Sequence, residues 1–485
     1  MKRTASAILA AILASVLMLS CTPSGRNADM TETAMFPDYA DIAIPSNIAP
    51  LNFRIDNATA IKVTIEGNNG TYTFKSRGEL MKFPLDRWKE MTGSEVGNTL
   101  KVTVSCTVNG ESVPISGFTW QIAEPIDRYL SYRLIEPAYE VWNEILIEER
   151  DIENFRTRLL GNNSNAGKCC MNCHTSNRNG TSFMHMRGTG GGTVLNRNGQ
   201  LSKLNTRTDS TVAGAVYGDI SRDGRYGIFT AANITFAIHS ARDMRMEVFD
   251  TESDLVLIDF DSLTLSDSRA VKGAGYQETF PCFSADGKTV FFCRAEHLSQ
   301  PDSTRQMMYD IAAVDFNPEN GLLGDSVRTL VSGRKYGVSF SHLKCSPDGR
   351  FLLVTAASYG TFPIWHPESQ LWLIDLTNGH VNLMPSTNGE YADTYHSWSS
   401  NSRWIVFASK RDDKVYGRPY IAHIDENGYT TKAFLLPQKD PDTYRTTLKS
   451  FNIPELYTEP EQYNARSVAR IYSNAPAERV RYRER

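Results

Sequence analysis

Residues 345–356 read CSPDGRFLLVTA, and the same device returns as ISRDGRYGIFTA from Ile220, FSADGKTVFFCR from Phe283 and, degraded, WSSNSRWIVFAS from Trp398. In each copy a Ser-x-Asp-Gly turn, or its remnant, leads directly into an apolar run, the pattern of a tight hairpin entering a buried strand. A second apolar strand follows and ends in aspartate: LVLID at Asp259, IAAVD at Asp315, LWLID at Asp375 and IAHID at Asp425. Those aspartates are 56, 60 and 50 residues apart, the period of a four-stranded propeller blade with generous loops. Four blades are legible in this way. A ring of six or more needs further blades from the flanking text, and the candidates are YLSYRLIEPAYEVWNEILIEERDIENF from Tyr129 and GGTVLNRNGQLSKLN from Gly191.

Upstream, IKVTIEGNNGTYTF and LKVTVSCTVNGESV alternate around Asn-Asn-Gly and Asn-Gly turns, with the short amphipathic piece PLDRWKEM between them. Paired hairpins over about 85 residues suggest an immunoglobulin-like β-sandwich at 39–124, although the two cysteines of antibody domains are lacking. The expected fold class is therefore all-β: the sandwich, then a propeller over 125–455. The tail 456–485, with its Arg-rich run RSVARIYSNAPAERVRYRER, reads as a solvated end.

The chain opens with Lys2 and Arg3, an apolar run from Ala5 to Leu19, and Ser20-Cys21. That order is an export signal over 1–20, and its apolar run is shorter than the roughly 20 residues of a membrane-spanning helix. VLMLSC resembles a bacterial lipobox, which makes Cys21 the lipidated residue and 21–38 a polar linker. The expected location is the cell envelope, on the periplasmic side or as an outer-membrane lipoprotein, with membrane contact through the lipid alone. A formal net charge of −4 points to no nucleic-acid partner.

Between the two candidate blade segments lies GKCCMNCHTSNRNGTSFMHMRG, residues 167–188. Its pentapeptide Cys170-Met171-Asn172-Cys173-His174 is the attachment pattern for one covalent haem c. On that reading Cys170 and Cys173 sit one helical turn apart to reach two vinyl groups, and His174 turns under the ring as proximal ligand. The segment 161–190 is then a haem loop inserted into, or leading into, the ring. For the sixth position FMHMRG offers His185, or Met184 and Met186 on the opposite face of an extended stretch. Zinc held by Cys169, Cys170, Cys173 and either histidine is a rival, as is a redox dithiol.

Four further histidines form a candidate second metal site at one mouth of the channel: His239 and His366 fall in matching places between a blade's second and third strands, and His342 and His396 just before innermost strands. Glu252 and Glu368 recur in step with them. Hydrolase chemistry finds no GxSxG elbow. RGTGGGTV leads into a strand, so it lacks the helix N-terminus of a phosphate loop.

The strings YRLIEPAYEVWNEILIEERDIENF, CMNCH, FMHMRG with GGT, YGTFPIWHPESQLWLIDL, YHSWSSNSRWIVFASKRDD, RPYIAHID and LPQKDPDTY together resemble the TolB-like propeller lipoproteins of Bacteroides-type bacteria, often described as cytochrome c related. The resemblance implies an exported propeller with a single attached haem. TolB itself resembles only the propeller and implies partner binding at the envelope. The expected function is an envelope electron carrier with a protein partner. A redox enzyme using the histidine face and a non-catalytic binding scaffold are the alternatives.

Overall fold

The structure, a computed structural model, describes residues 35–484 apart from 138–142, 188–191, 243, 274 and 299–304, and only the backbone of residues 116, 172 and 173. The signal segment and Cys21 lie outside the described residues.

The Ser-x-Asp-Gly turns close through the serine hydroxyl. In CSPDGRF the Ser346 Oγ accepts the Phe351 N–H at 2.9 Å and donates to Asp348 Oδ1 at 2.6 Å, while Asp348 Oδ1 accepts the Arg350 N–H. Gly349 sits at φ 75°, a left-handed conformation that glycine adopts without steric cost. Ser221, Ser284 and Ser399 make the same pair of bonds. Each turn thus joins an innermost strand to the next strand outward.

Six antiparallel sheets follow around one axis. Blades 2 to 6 have as innermost strands Cys170–Ser176, Ala215–Ile220, Tyr276–Phe283, Ser339–Cys345 and Asp393–Trp398. Blade 1 is closed by the two ends of the ring: Ser450–Tyr457 pairs with Tyr129–Ile135, which leads outward to Ile145–Asp151 and Thr157–Asn162. The two segments proposed as extra blades supply outer strands of blades 1 and 2, and the described residues form six blades.

Two expectations are corrected here. The cysteine segment is no inserted loop: Cys170–Ser176 and Thr181–Arg187 are the first two strands of blade 2. The tail is not a free end, although most of its arginines stay in solvent. Tyr457 ends the closing strand, helix Ala465–Asn474 packs Val468 and Tyr472 against blades 1 and 2, and Glu478–Arg479 and Arg481–Tyr482 add fifth strands to blades 2 and 3. Unsatisfied outer sheet edges explain why a charged segment is captured there.

The N-terminal unit has a five-stranded sheet, in which Ala60–Glu66 faces Thr99–Val108 so that Val63 opposes Val104 and Ile65 opposes Val102. A second sheet of three short strands lies beside it. Helix Leu85–Ser94 packs Trp88 at 5.0 Å from Phe83 and 5.6 Å from Trp120. This is a β unit, as expected; an immunoglobulin-like topology is a finer statement than these strands carry. Its core continues into blades 1, 5 and 6 through Leu130, Phe351 and Trp404, and the Trp404 indole donates to the Glu124 carbonyl at 3.0 Å.

Candidate functional site: a bowl and a shaft on the propeller axis

Each of the six innermost strands carries a β-bulge near its middle. A bulge leaves an extra residue unpaired with its neighbour strand and re-aims its side chain. The bulged positions are Tyr217, Phe280, His342, Tyr395 and Ile453 in blades 3 to 6 and 1, all at positive φ between 26° and 52°. In blade 2 the register shift falls between Asn172 and His174, so Cys173 is the corresponding residue.

Neighbouring members of this ring touch. Tyr217 lies 5.0 Å from Phe280, Phe280 4.6 Å from His342, and His342 4.4 Å from Tyr395. The aromatic arc divides the channel, with Tyr217, Tyr395 and Ile453 lining the spaces on both sides. On the side away from the Ser-x-Asp-Gly turns is a bowl of about 290 Å³ walled by Ile135, Val216, Phe236, Ile238, Phe362 and Trp365. The hairpin of Tyr226–Ile238 and Met246–Asp259 projects over it, leaving Phe236 and Ile238 about half exposed. On the other side is a shaft chamber of about 60 Å³ containing His174, His342, His396, Lys344 and Glu455.

The cysteine motif is split between these spaces. Cys170 lines the bowl, whereas His174 lines the shaft. His174 Nε2 is 3.5 Å from Ser131 Oγ, and burial followed by the charges of Arg133 and Lys344 pushes its pKa down to about 3. An extended strand places the Cα atoms of residues 170 and 174 roughly 13 Å apart, so the helical turn expected for the pentapeptide is absent. In this conformation Cys170 and His174 do not address one porphyrin; the Cys173 side chain is outside the described residues. The physical reason is the blade repeat. Asn177-Arg178-Asn179-Gly180 is a fifth copy of the turn, with Asn177 Oδ1 accepting the Asn179 and Thr181 N–H groups and Gly180 at φ 84°. The strand before such a turn belongs to the ring.

The remaining site residues also separate. Met184 and Met186 are buried, opposite His174 and Met171, in the core shared with blade 1. His185 lies on the other face of its strand and lines the bowl, with Nδ1 3.4 Å from Thr193 Oγ1; burial, then Arg187, lowers it to about 4. Cys169 is buried and its thiol is pushed up mainly by desolvation, contrary to the needs of a redox thiolate.

The four propeller histidines do not gather. His342 and His396 lie in the shaft, His396 Nε2 meeting the Leu353 carbonyl at 2.9 Å. His239 pairs with Glu247 at 3.5 Å, and His366 with Glu368 at 3.6 Å under the Tyr359 ring. Glu252 accepts from Asn233, its partner across two paired strands, and Glu368 accepts the Ser358 N–H and so ties a loop. Among the described residues no group of three or more histidine, cysteine or acidic side chains has metal-binding geometry, because the matching positions lie at different depths along the axis.

Sequence reasoning missed the bowl's charged members. Arg133 on blade 1 and Lys410 on blade 6 are both buried and line it. The Lys410 ammonium stands 3.0 Å from the centroid of the Trp365 ring. The signal in the sequence is slight: Arg133 interrupts the run YLSYRLI, and Lys410 follows WIVFAS directly at the head of a charged run.

No family model matches the chain, and no curated protein does. Among solved structures it is similar to the periplasmic gluconolactonase PpgL of Pseudomonas aeruginosa at 16% identity, covering 68% of this chain and 100% of that one with a TM-score of 0.35. A hypothetical selenium-binding protein from Sulfolobus tokodaii is 9% identical over 88% and 96% of the two chains, with a TM-score of 0.41. A puromycin-hydrolyzing peptidase of Mycobacterium tuberculosis is 12% identical over 70% and 52%, with a TM-score of 0.33. Similarities of this size carry no functional information. The six-bladed ring rests on the strand pairing itself.

Proposed function

We propose that this protein is a ligand-binding propeller of the cell envelope whose bowl takes one apolar small molecule. The observation that carries the reading is the bowl of about 290 Å³ under the overhanging hairpin, apolar, open at one end and floored by aromatic rings. Concave, mostly apolar sites of this order with a few placed polar groups are the usual form of small-molecule sites. The N-terminal unit, read as immunoglobulin-like, is a spacer between a lipid anchor at Cys21 and the ring. The test is titration of the full mature chain with the neutral fluorophore N-phenylnaphthylamine, following its emission. Saturable binding of one equivalent that is lost in Phe236→Glu supports the reading; no saturable binding ends it.

The CxxCH motif, together with the presence of Cys170 and His185 around the same bowl, favours a second reading, a monohaem c-type cytochrome that passes electrons to an envelope partner. It requires residues 170–174 to leave the strand they form here. The deciding experiment is a pyridine haemochrome spectrum and intact mass of protein matured with haem-attachment machinery, against a Cys170→Ala, Cys173→Ala control. A porphyrin adduct lost in the control establishes the cytochrome; an unmodified mass removes it.

A further inference from the structure

The bowl holds more positive charge than its surroundings neutralise. Arg133 is 4% exposed, and its Nε and Nη1 have no hydrogen-bond partner among the described residues. Lys410 is 7% exposed, and its Nζ has none either, only the face of Trp365. Arg187 stands at the rim. Glu136, the one carboxylate among the described residues that line the bowl, accepts the Glu144 N–H at 3.3 Å and forms no ion pair with these cations. Burying an unpartnered cation costs several kcal/mol, and an apolar residue at either position would fill the wall at lower cost. Among the described residues no anionic side chain meets these two cations, and an anionic ligand in the bowl would.

We infer that the bowl's ligand is an apolar molecule ending in a carboxylate, whose acidic group meets Arg133 and Lys410. This rests on the ligand-binding reading above and specifies the chemistry of that ligand. The two buried donors lie on neighbouring blades, and a carboxylate presents two oxygens to them. The apolar walls take the rest of the molecule, and Phe236 and Ile238 on the hairpin cover it. Burial, reinforced by Arg245 and only partly opposed by Asp413, pushes the Lys410 amine well below the ordinary lysine range, and an adjacent carboxylate offsets that penalty. Hydrogen bonds to charged partners in such surroundings are the strong kind.

The test is calorimetric titration of the full mature chain with decanoate and with decanol, which share the chain and differ in charge. The wild type is expected to bind decanoate about 10-fold or more tightly than decanol. Lys410→Met and Arg133→Met are each expected to shrink the ratio of decanoate to decanol affinity towards one. Lys410→Met also separates a binding role from a structural one, because removing an unpartnered buried amine raises the melting temperature, whereas removing a structural group lowers it. Should Arg133→Met not fold, Lys410→Met carries the test alone. Equal affinity for the two probes in the wild type, both lost in Phe236→Glu, overturns the carboxylate inference and leaves the ligand-binding reading standing. Absence of binding by either probe overturns both. A lower melting temperature in Lys410→Met with unchanged preference for decanoate also overturns the inference.

Discussion

The imidazole of His342 lies 4.4 Å from the ring of Tyr395, tilted by 34°, although the two residues belong to different blades. Both are bulge residues at positive φ, 52° and 43°. Without the bulges, strand alternation would turn these rings between blades; with them, the rings of neighbouring blades meet beside the axis, between the bowl and the shaft.

That conformation is costly for most side chains. Asparagine tolerates the left-handed region and β-branched residues do not. Tyr395→Asn and Tyr395→Val both lose the ring contacts, so the difference between them isolates the backbone. The valine variant is expected to be less stable by about 1–2 kcal/mol, measured by denaturant unfolding. Equal stabilities mean that the bulge is not held at positive φ.

Ser346 is fully buried and bonds both to the Phe351 N–H and to Asp348. Ser346→Ala leaves that N–H without its acceptor and is expected to cost about 1–3 kcal/mol. The matching change at Ser284, whose turn is more exposed, is expected to cost less. The comparison of the two melting curves checks the turn's role.

Burial raises Glu455 to about 7, against the opposing pull of Lys344. The folded chain therefore holds this proton more tightly than the unfolded one, and the stabilising contribution is present at low pH and lost as pH rises from the ordinary glutamate value through about 7. Glu455→Gln is expected to remove that decline, up to about 1.4 kcal/mol per pH unit, in unfolding free energies measured from pH 4.5 to 8. An unchanged slope refutes the assignment.

His174 behaves oppositely. Its pKa is lowered to about 3, so the unfolded chain takes up a proton below the ordinary histidine value while the folded chain does not. The stability is present above about 6.5 and is lost as pH falls towards 3. His174→Gln is expected to shift the acid unfolding midpoint to lower pH, followed by circular dichroism. His396, lowered to about 3 by the same burial, is expected to respond alike.

Removing residues 464–485 strips the helix and the two added strands. Val468 and Tyr472 leave a core that includes Ile147, Met171 and Met186, and Lys203 loses the Tyr472 carbonyl it bonds at 2.9 Å. The truncated chain is expected to melt several degrees lower and to expose Ile145–Asp151 and Thr157–Asn162 to early hydrogen exchange. Truncation after Asn474, which keeps the helix, is expected to cost less.

The sequence by itself determined what is local. Serine, aspartate and glycine at fixed spacing write their own turn, and alternation writes the strands beside it, so the blade period and the hairpins of the N-terminal unit were legible. The turn at Asn177–Gly180 is local as well, but the cysteine spacing beside it has one sense on a helix and another in a strand. Only the tertiary structure decided that residues 170–174 form an inner strand and that residues 129 and 457 pair to close the ring. The same holds for the tail that covers two sheet edges and for the bowl shared by Arg133 and Lys410. Those outcomes depend on contacts between residues hundreds of positions apart, and no local pattern encodes the depth at which a side chain meets a common axis.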